Sequence, residues 1–166
     1  MPAIAVYPGS FDPITYGHLD ILERATEIMD KVYLTVAINR EKKMVFDEKE
    51  RLELINRCLE GKKWAQKVVV TQFTGLLVEY AKSVKANTLV RGVRQVSDFE
   101  YEFRMALMNR RLAPTIETIF LMPREELTFV SASMVREVAY WGGDLSSFVP
   151  DHVGEALLKN IHRNDK

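Results

Sequence analysis

A histidine at the start of a predicted helix is the first residue whose position suggests chemistry. Residues 8–17 are rich in proline and glycine, follow an apolar run at 3–7, and lead into Gly17-His18 at the head of a helical pattern. A helix N-terminus presents unpaired N–H groups and the positive end of the helix dipole, so it favours a phosphate group. His18 adds a donor there. Gly-His alone fits a capping histidine equally well, so the interpretation depends on the neighbouring residues.

A second helix start carries two serines. Ser131 and Ser133 follow the last of the apolar runs and precede a helical pattern. Either serine can cap that helix, which is the plain structural interpretation. The same hydroxyls and the first amides of the helix can also bind phosphate oxygens.

Two arginines follow the fourth apolar run. Arg91 and Arg94 flank Gly92 where that run ends. Guanidinium groups are permanently charged and forked, which suits phosphate, although an arginine pair in a loop is often only solvated. The aromatic and aliphatic residues that follow at helical spacing are predicted to form a helix core: Phe99, Phe103 and Leu107.

Short apolar runs and helical patterns alternate along the chain. The apolar runs are residues 3–7, 32–38, 68–70, 88–90 and 118–122, and the helical patterns are 18–30, 48–59, 76–84, 98–112, 133–140 and 153–161. This alternation predicts an α/β fold: one doubly wound, five-stranded parallel sheet, Rossmann-like, with C-terminal helices, in a single domain over residues 1–166. Ligands of such sheets bind beyond the carboxyl ends of the strands, where His18, both arginines and both serines are expected to meet.

Composition narrows the possible partners. The chain has 166 residues with 23 basic and 23 acidic side chains, so its formal net charge is zero and we expect no nucleic-acid partner. No apolar run approaches the roughly 20 residues of a membrane span, so we expect no membrane partner. Cys58 is the only cysteine, which favours a reduced, cytoplasmic setting, and its neighbours predict a small buried hydrophobe.

Longer strings of residues resemble a known superfamily. The segment Gly-Ser-Phe-Asp-Pro-x-Thr-x-Gly-His at residues 9–18 closely matches the nucleotidyltransferases with a Thr/His-x-Gly-His motif. Residues 130–136 resemble their Ile-Ser-Ser-Ser-x-x-Lys/Arg segment, with Ala132 at the middle serine. The stretch from Arg91 to Glu102 narrows the resemblance to the bacterial phosphopantetheine adenylyltransferases, in one register from Ala5 to about Pro150.

This resemblance implies roles at the matching positions. It implies 4′-phosphopantetheine contacts at Ser10, Lys42, Leu77 and Arg91. It implies ATP contacts at Ser10, Phe11, His18, Gly92, Val93, Arg94, Glu102, Leu127, Thr128, Phe129, Val130, Ser131, Ala132 and Ser133. His18, Lys42 and Arg91 would be the catalytic group, with His18 stabilising the transition state. Mg²⁺ would bind mainly through the ATP phosphates, so no protein metal ligand is expected.

The resemblance also implies a reaction, which is adenylyl transfer from ATP to 4′-phosphopantetheine, giving dephospho-CoA and pyrophosphate. The enzymes of this family are typically homohexamers that CoA inhibits. Two alternatives stay open: another small-molecule nucleotidyltransferase of the same superfamily, or a non-catalytic ATP-binding α/β module. Assays with a panel of substrates would distinguish another nucleotidyltransferase from a phosphopantetheine adenylyltransferase. ATP binding without pyrophosphate release would indicate the non-catalytic module.

Overall fold

Five parallel strands form one sheet, in the order β3-β2-β1-β4-β5. The computed structural model describes residues 1–38 and 43–164. The strands are β1 (Ile4–Gly9), β2 (Lys31–Ala37), β3 (Val68–Phe73), β4 (Thr88–Gly92) and β5 (Glu117–Leu121). The chain adds strands on one side of β1 and then returns to add two on the other side. The predicted doubly wound parallel sheet is therefore confirmed.

Six α-helices connect and follow these strands in the described residues. They are α1 (Tyr16–Ile28), α2 (Glu48–Leu59), α3 (Leu77–Ser83), α4 (Val96–Leu112), α5 (Ala132–Tyr140) and α6 (Asp151–Asn164). Each predicted helix is present, with ends shifted by a few residues, and two short 3-10 helices at Lys63–Lys67 and Glu125–Leu127 were not predicted. Within the described parts of the chain, no helix combines the length and the apolar character needed to cross a membrane.

The central strand β1 is buried on both faces. Ala5 and Tyr7 pack into the larger of two apolar cores, while Val6 between them packs into the smaller one. Successive side chains of a strand point to opposite faces, so a strand between two layers of helices must be apolar throughout. Each fully buried aliphatic side chain contributes about 1.5–3 kcal/mol. The core thus fixes where the carboxyl end of β1 lies.

Cys58 belongs to the larger core, as predicted. The thiol lies on α2 and is buried. Burial raises its pKa to about 11, so the thiolate is scarce at neutral pH. A thiol in this state packs as a small hydrophobe and is a poor nucleophile.

Helix α4 does not bury the face that the sequence predicted. Phe99, Phe103 and Leu107 are 43%, 47% and 49% exposed, and α4 has no buried residue. The prediction of a helix core is wrong. Helical spacing identifies an apolar stripe but not the surface that covers it. In this chain Phe99 stacks on Phe103, with ring centroids 5.7 Å apart, and meets the edge of Phe120 at 5.6 Å, and both α4 rings stay about half exposed.

Candidate functional site

Two adjoining cavities open at the carboxyl ends of β1 and β4, where the strand order reverses. The first has a volume of about 350 Å³ and the second about 380 Å³, each within the usual range for a small-molecule site. Five residues line both cavities: Pro8, Gly9, Ser10, Arg91 and Glu102. Two ligands can therefore approach each other across a shared wall, which is the arrangement that a group transfer between them requires.

His18 lines the first cavity in a fixed orientation. Thr15 is the N-cap of α1, and its backbone N–H donates to His18 Nδ1 over 3.0 Å. The backbone N–H of His18 donates back to Thr15 Oγ1 over 3.3 Å. Because Nδ1 accepts a hydrogen bond, we assign the proton of the neutral imidazole to Nε2. The ring therefore keeps one donor for a ligand.

The surroundings of His18 keep its ring neutral. Burial, and then the positive charge of Arg94, lower the pKa of His18 to about 4. Phe11 packs edge-on against the imidazole, with ring centroids 5.1 Å apart. Close approach of Phe11 also requires Gly9, because a Cβ there would lie 2.8 Å from a carbon of the Phe11 ring. At neutral pH His18 can therefore donate a hydrogen bond without carrying a charge.

Both predicted arginines are held by carboxylates of α4. Arg91 Nε donates to Glu102 Oε2 over 2.7 Å and its Nη2 contacts Glu102 Oε1, while Nη1 donates to the Pro8 carbonyl over 3.2 Å. Burial disfavours the charged guanidinium of Arg91, but the hydrogen bonds and charge of Glu102 outweigh that effect and raise its pKa. Arg94 Nε donates to Asp98 Oδ2 over 3.1 Å. Both cations are thus oriented, and their charge is partly offset.

The second helix start faces the same cavity. Ser131 caps α5 by accepting from the Met134 N–H over 3.2 Å, and its hydroxyl lies 3.1 Å from that of Ser133. Ala132 lacks a hydroxyl, but its amide is among the first N–H groups of α5, which the helix leaves unpaired. The start of α1 lies close to the segment that leads into α5, because a Cβ on Gly17 would lie 3.7 Å from the Leu127 carbonyl and 3.9 Å from the Val130 carbonyl. The first cavity is therefore lined by residues from two helix N-termini, each of which favours an anion.

The predicted site residues fall into several places. Those that line the first cavity are Ser10, Phe11, His18, Arg91, Gly92, Arg94, Glu102, Val130, Ser131, Ala132 and Ser133. Leu77 lines the second cavity, together with Ser10, Arg91 and Glu102. Leu127 lines a separate cavity of about 510 Å³, and Val93, Thr128 and Phe129 line neither of the two adjoining cavities. Lys42 lies outside the described residues.

The structure adds lining residues that sequence reasoning missed. In the first cavity they include Tyr7, Thr15, Ile21, Pro123 and Arg136. In the second they include Met44, Phe73, Tyr101, Met105, Ala106, Asn109 and Thr118. Arg136 had a signal, because it occupies the basic position of the Ser-x-Ser-x-x-Arg segment. In the second set, Tyr101, Met105 and Asn109 lie one helical turn apart on α4, whereas Met44, Phe73 and Thr118 come from other parts of the chain that only the fold brings to the same cavity.

Many functions share a doubly wound sheet with cavities at its switch point, and the comparison with protein families identifies this chain as a nucleotidyltransferase. The family model described as cytidylyltransferase-like matches residues 6–138. A match over most of the chain shows that it belongs to the cytidylyltransferase-like family.

Individual relatives narrow this assignment. The chain is 48% identical over 161 residues to a phosphopantetheine adenylyltransferase of Caldanaerobacter subterraneus subsp. tengcongensis, which covers 97% of this chain and 99% of the relative. It is 47% identical over 159 residues to a phosphopantetheine adenylyltransferase of Desulfitobacterium hafniense, covering 96% of each. Within the larger family, the chain belongs to the phosphopantetheine adenylyltransferases, which are enzymes.

Solved structures share the fold at much lower identity. A putative nicotinate-nucleotide adenylyltransferase from Vibrio parahaemolyticus superposes with a TM-score of 0.73 at 20% identity, covering 98% of this chain and 96% of its own. A nicotinic acid mononucleotide adenylyltransferase from Plasmodium falciparum gives 0.73 at 14% identity, covering 96% of each chain. These likenesses concern the fold alone.

Proposed function

We propose that residues 1–166 form one nucleotidyltransferase domain that transfers the adenylyl group of ATP to 4′-phosphopantetheine. The products are dephospho-CoA and pyrophosphate, and the reaction is a step of coenzyme A biosynthesis. One observation carries the proposal: two cavities share a wall at Ser10 and Arg91, and His18 lies in the first of them. The family membership reported above supports the choice of the two substrates.

The first cavity suits the nucleotide. Its anion-binding groups are the α5 start with Ser131 and Ser133, and the guanidinium groups of Arg94 and Arg136. Amides at a helix start and arginines are both strong phosphate donors. We assign the triphosphate to this end of the cavity, which leaves the α-phosphate near His18.

The second cavity suits the acceptor. Its apolar lining includes Leu77, Phe73 and Met105, and its shared wall carries Ser10 and Arg91. An apolar channel ending at a hydroxyl and a cation matches a pantetheine arm that ends in phosphate. We keep Lys42 as a proposed contact of the same phosphate.

The chemistry needs no activating base. The second pKa of a phosphate monoester is near 6, so at neutral pH the acceptor phosphate is largely dianionic and can attack the α-phosphorus itself. Negative charge then grows on the non-bridging oxygens and on the departing pyrophosphate. His18 Nε2–H donates to the α-phosphate as this charge develops, and Arg91 orients the acceptor. Positioning and preorganised electrostatics therefore supply most of the catalysis.

Magnesium would accompany the nucleotide. Within residues 1–38 and 43–164, no group of three or more His, Cys, Asp or Glu side chains converges as a metal site. The first cavity offers N–H, guanidinium and hydroxyl groups, which suit phosphate oxygens better than a cation. This lining fits a Mg²⁺ that is held mainly by the ATP phosphates and water. Bound in that way, Mg²⁺ would neutralise part of the phosphate charge.

A homohexamer and inhibition by CoA belong to the same proposal. The exposed apolar stripe of α4, with Phe99, Phe103 and Leu107, supports burial against another copy of the chain. CoA carries the pantetheine arm of the acceptor and can therefore compete for the second cavity. ATP consumption and the single cysteine fit a cytoplasmic location.

The test is an assay of the purified chain with ATP, MgCl₂ and 4′-phosphopantetheine, in which chromatography follows dephospho-CoA and a coupled assay follows pyrophosphate. We expect both products in equal amounts. Replacing the acceptor with nicotinate mononucleotide, or ATP with CTP, should abolish turnover. Turnover with one of those substrates instead would indicate another nucleotidyltransferase. ATP binding without pyrophosphate release in the presence of the acceptor would indicate a non-catalytic module.

A further inference from the structure

A buried arginine lies behind the shared wall of the two cavities. Arg51 is on α2, is 2% exposed, and is absent from both cavity linings. Its Nη1 donates to the Ser10 carbonyl over 2.8 Å and lies 3.4 Å from the Ala37 carbonyl. Its Nε lies 3.4 Å from the Asp47 carbonyl. A charge this deeply buried is costly unless it is hydrogen-bonded, so these contacts fix the guanidinium in place.

The peptide that Arg51 holds is strained. Phe11, which follows Ser10, has a φ of 46°, a left-handed conformation that is unfavourable for a bulky side chain. Such a conformation persists only where surrounding contacts enforce it. Arg51 contacts the Ser10 carbonyl from behind, while the Phe11 ring packs between Tyr7 and His18 at centroid distances of 5.5 Å and 5.1 Å. The turn is therefore held at both of its residues.

An independent set of contacts anchors the same loop to the start of α2. Asp12 is buried, and its carboxylate accepts the backbone N–H groups of Val45 and Phe46, each over 2.9 Å. Arg136 Nη1 donates to the Asp12 carbonyl from the other side. Loop 10–12 is thus hydrogen-bonded to α2, to residues 45–46 and to α5. Among these contacts, the one from Arg51 is made to Ser10 itself.

We propose that Arg51 is a positioning residue for adenylyl transfer: through the Ser10 carbonyl it holds the Ser10–Phe11 turn that sets the shared cavity wall and backs His18. This inference rests on the proposed function. Arg51 touches neither cavity, so it acts through Ser10 and Phe11. Ser131, Ser133 and Arg94, which we assign to the triphosphate, lie away from this contact. Arg136 does contact the same loop, but at the Asp12 carbonyl and not at Ser10. Loss of Arg51 should therefore affect transfer to the acceptor much more than ATP binding.

The experiment compares Arg51→Met and Arg51→Lys with wild type, measuring kcat and KM for 4′-phosphopantetheine and the Kd for ATP by calorimetry. Displacing reacting groups by about 1 Å can cost about 100-fold. We expect Arg51→Met to lower kcat/KM for the acceptor about 100-fold while the ATP Kd stays within about threefold. Arg51→Lys keeps a cation that can reach the Ser10 carbonyl, so it should recover about tenfold of that loss.

Two variants of the same helix serve as controls. Arg57→Met removes an exposed arginine, and we expect wild-type kinetics. Leu54→Ala opens a cavity in the core and lowers the melting temperature but keeps the guanidinium of Arg51 on the Ser10 carbonyl, so kcat/KM should stay near the wild-type value. If Arg51→Met does not fold, Arg51→Lys alone decides, with an expected loss of about tenfold.

The inference is overturned if the Arg51 variants of an active enzyme keep wild-type kcat/KM. It is also overturned if they weaken ATP binding as much as they slow transfer, or if Leu54→Ala shows the same kinetic loss. A wild-type chain that makes no dephospho-CoA would overturn the proposed function itself, which the first assay shows before any variant is compared.

Discussion

Replacing His18 by alanine tests the proposed mechanism most directly. In the proposed mechanism one neutral donor, Nε2–H, faces the α-phosphate, because Nδ1 already accepts the Thr15 N–H over 3.0 Å. Removing one preorganised donor to a developing charge costs about 10²–10³ in kcat, or about 2.7–4 kcal/mol. A donor that acts mainly in the transition state contributes little to the ground state, so the Kd for ATP should stay within about tenfold.

The assay measures pyrophosphate release at saturating substrates, with ATP affinity measured separately by calorimetry. His152→Gln is the matched control, because His152 lies near Cys58, with Nε2 3.5 Å from its sulfur, and lines neither of the two adjoining cavities. We expect the control to keep wild-type kcat. Near-normal turnover of His18→Ala, or a loss of ATP affinity as large as the loss of turnover, would refute the reasoning.

The ionisation of His18 gives a second test of the same role. Its pKa in the folded chain is about 4, below the ordinary 6.5, so the ring should stay neutral from pH 8 to pH 5. Between pH 4 and 6.5 the unfolded chain binds more protons at His18 than the folded chain does. The free energy of unfolding that depends on neutral His18 is therefore fully present above pH 6.5 and is lost as pH falls towards 4. Because the acceptor phosphate also titrates near pH 6, the pH dependence of activity would mix two ionisations. The titration of the His18 imidazole should therefore be measured directly by NMR. A midpoint at or above 6.5 would contradict a neutral donor.

Further variants probe the other contacts. The double variant Arg91→Met, Glu102→Gln removes the guanidinium without leaving a carboxylate unpaired. It should raise the KM for the acceptor about tenfold or more, and an effect confined to the KM for ATP would overturn the assignment of Arg91. Arg94→Met should instead raise the ATP KM by a similar factor, and steady-state kinetics with each substrate varied will distinguish the two. Thr15→Val removes the α1 N-cap hydroxyl, worth about 1 kcal/mol, so calorimetry should show a melting temperature lower by about 2–4 °C. Phe103→Glu should dissociate the proposed hexamer in light scattering, and an unchanged mass would place the interface elsewhere.

The fold class could be predicted from the sequence because it depends on local patterns. Apolar runs without polar alternation indicate strands buried on both faces, and their alternation with helices permits few topologies. Some residues of the first cavity were predictable for a related reason. His18 and Ser131 each lie at a helix start that follows a strand through one loop, so nearby residues of the sequence already indicate a phosphate site.

Only the tertiary structure decided which distant residues act together. Glu102 holds Arg91 from α4, and Arg51 reaches Ser10 across 41 positions of sequence, and neither contact leaves a periodic signal. The apolar stripe of α4 shows the limit most clearly, because Phe103 has helical spacing and yet is exposed. Periodicity is a property of one helix, whereas burial and hydrogen bonding depend on what packs against it, and that is settled only when the elements assemble.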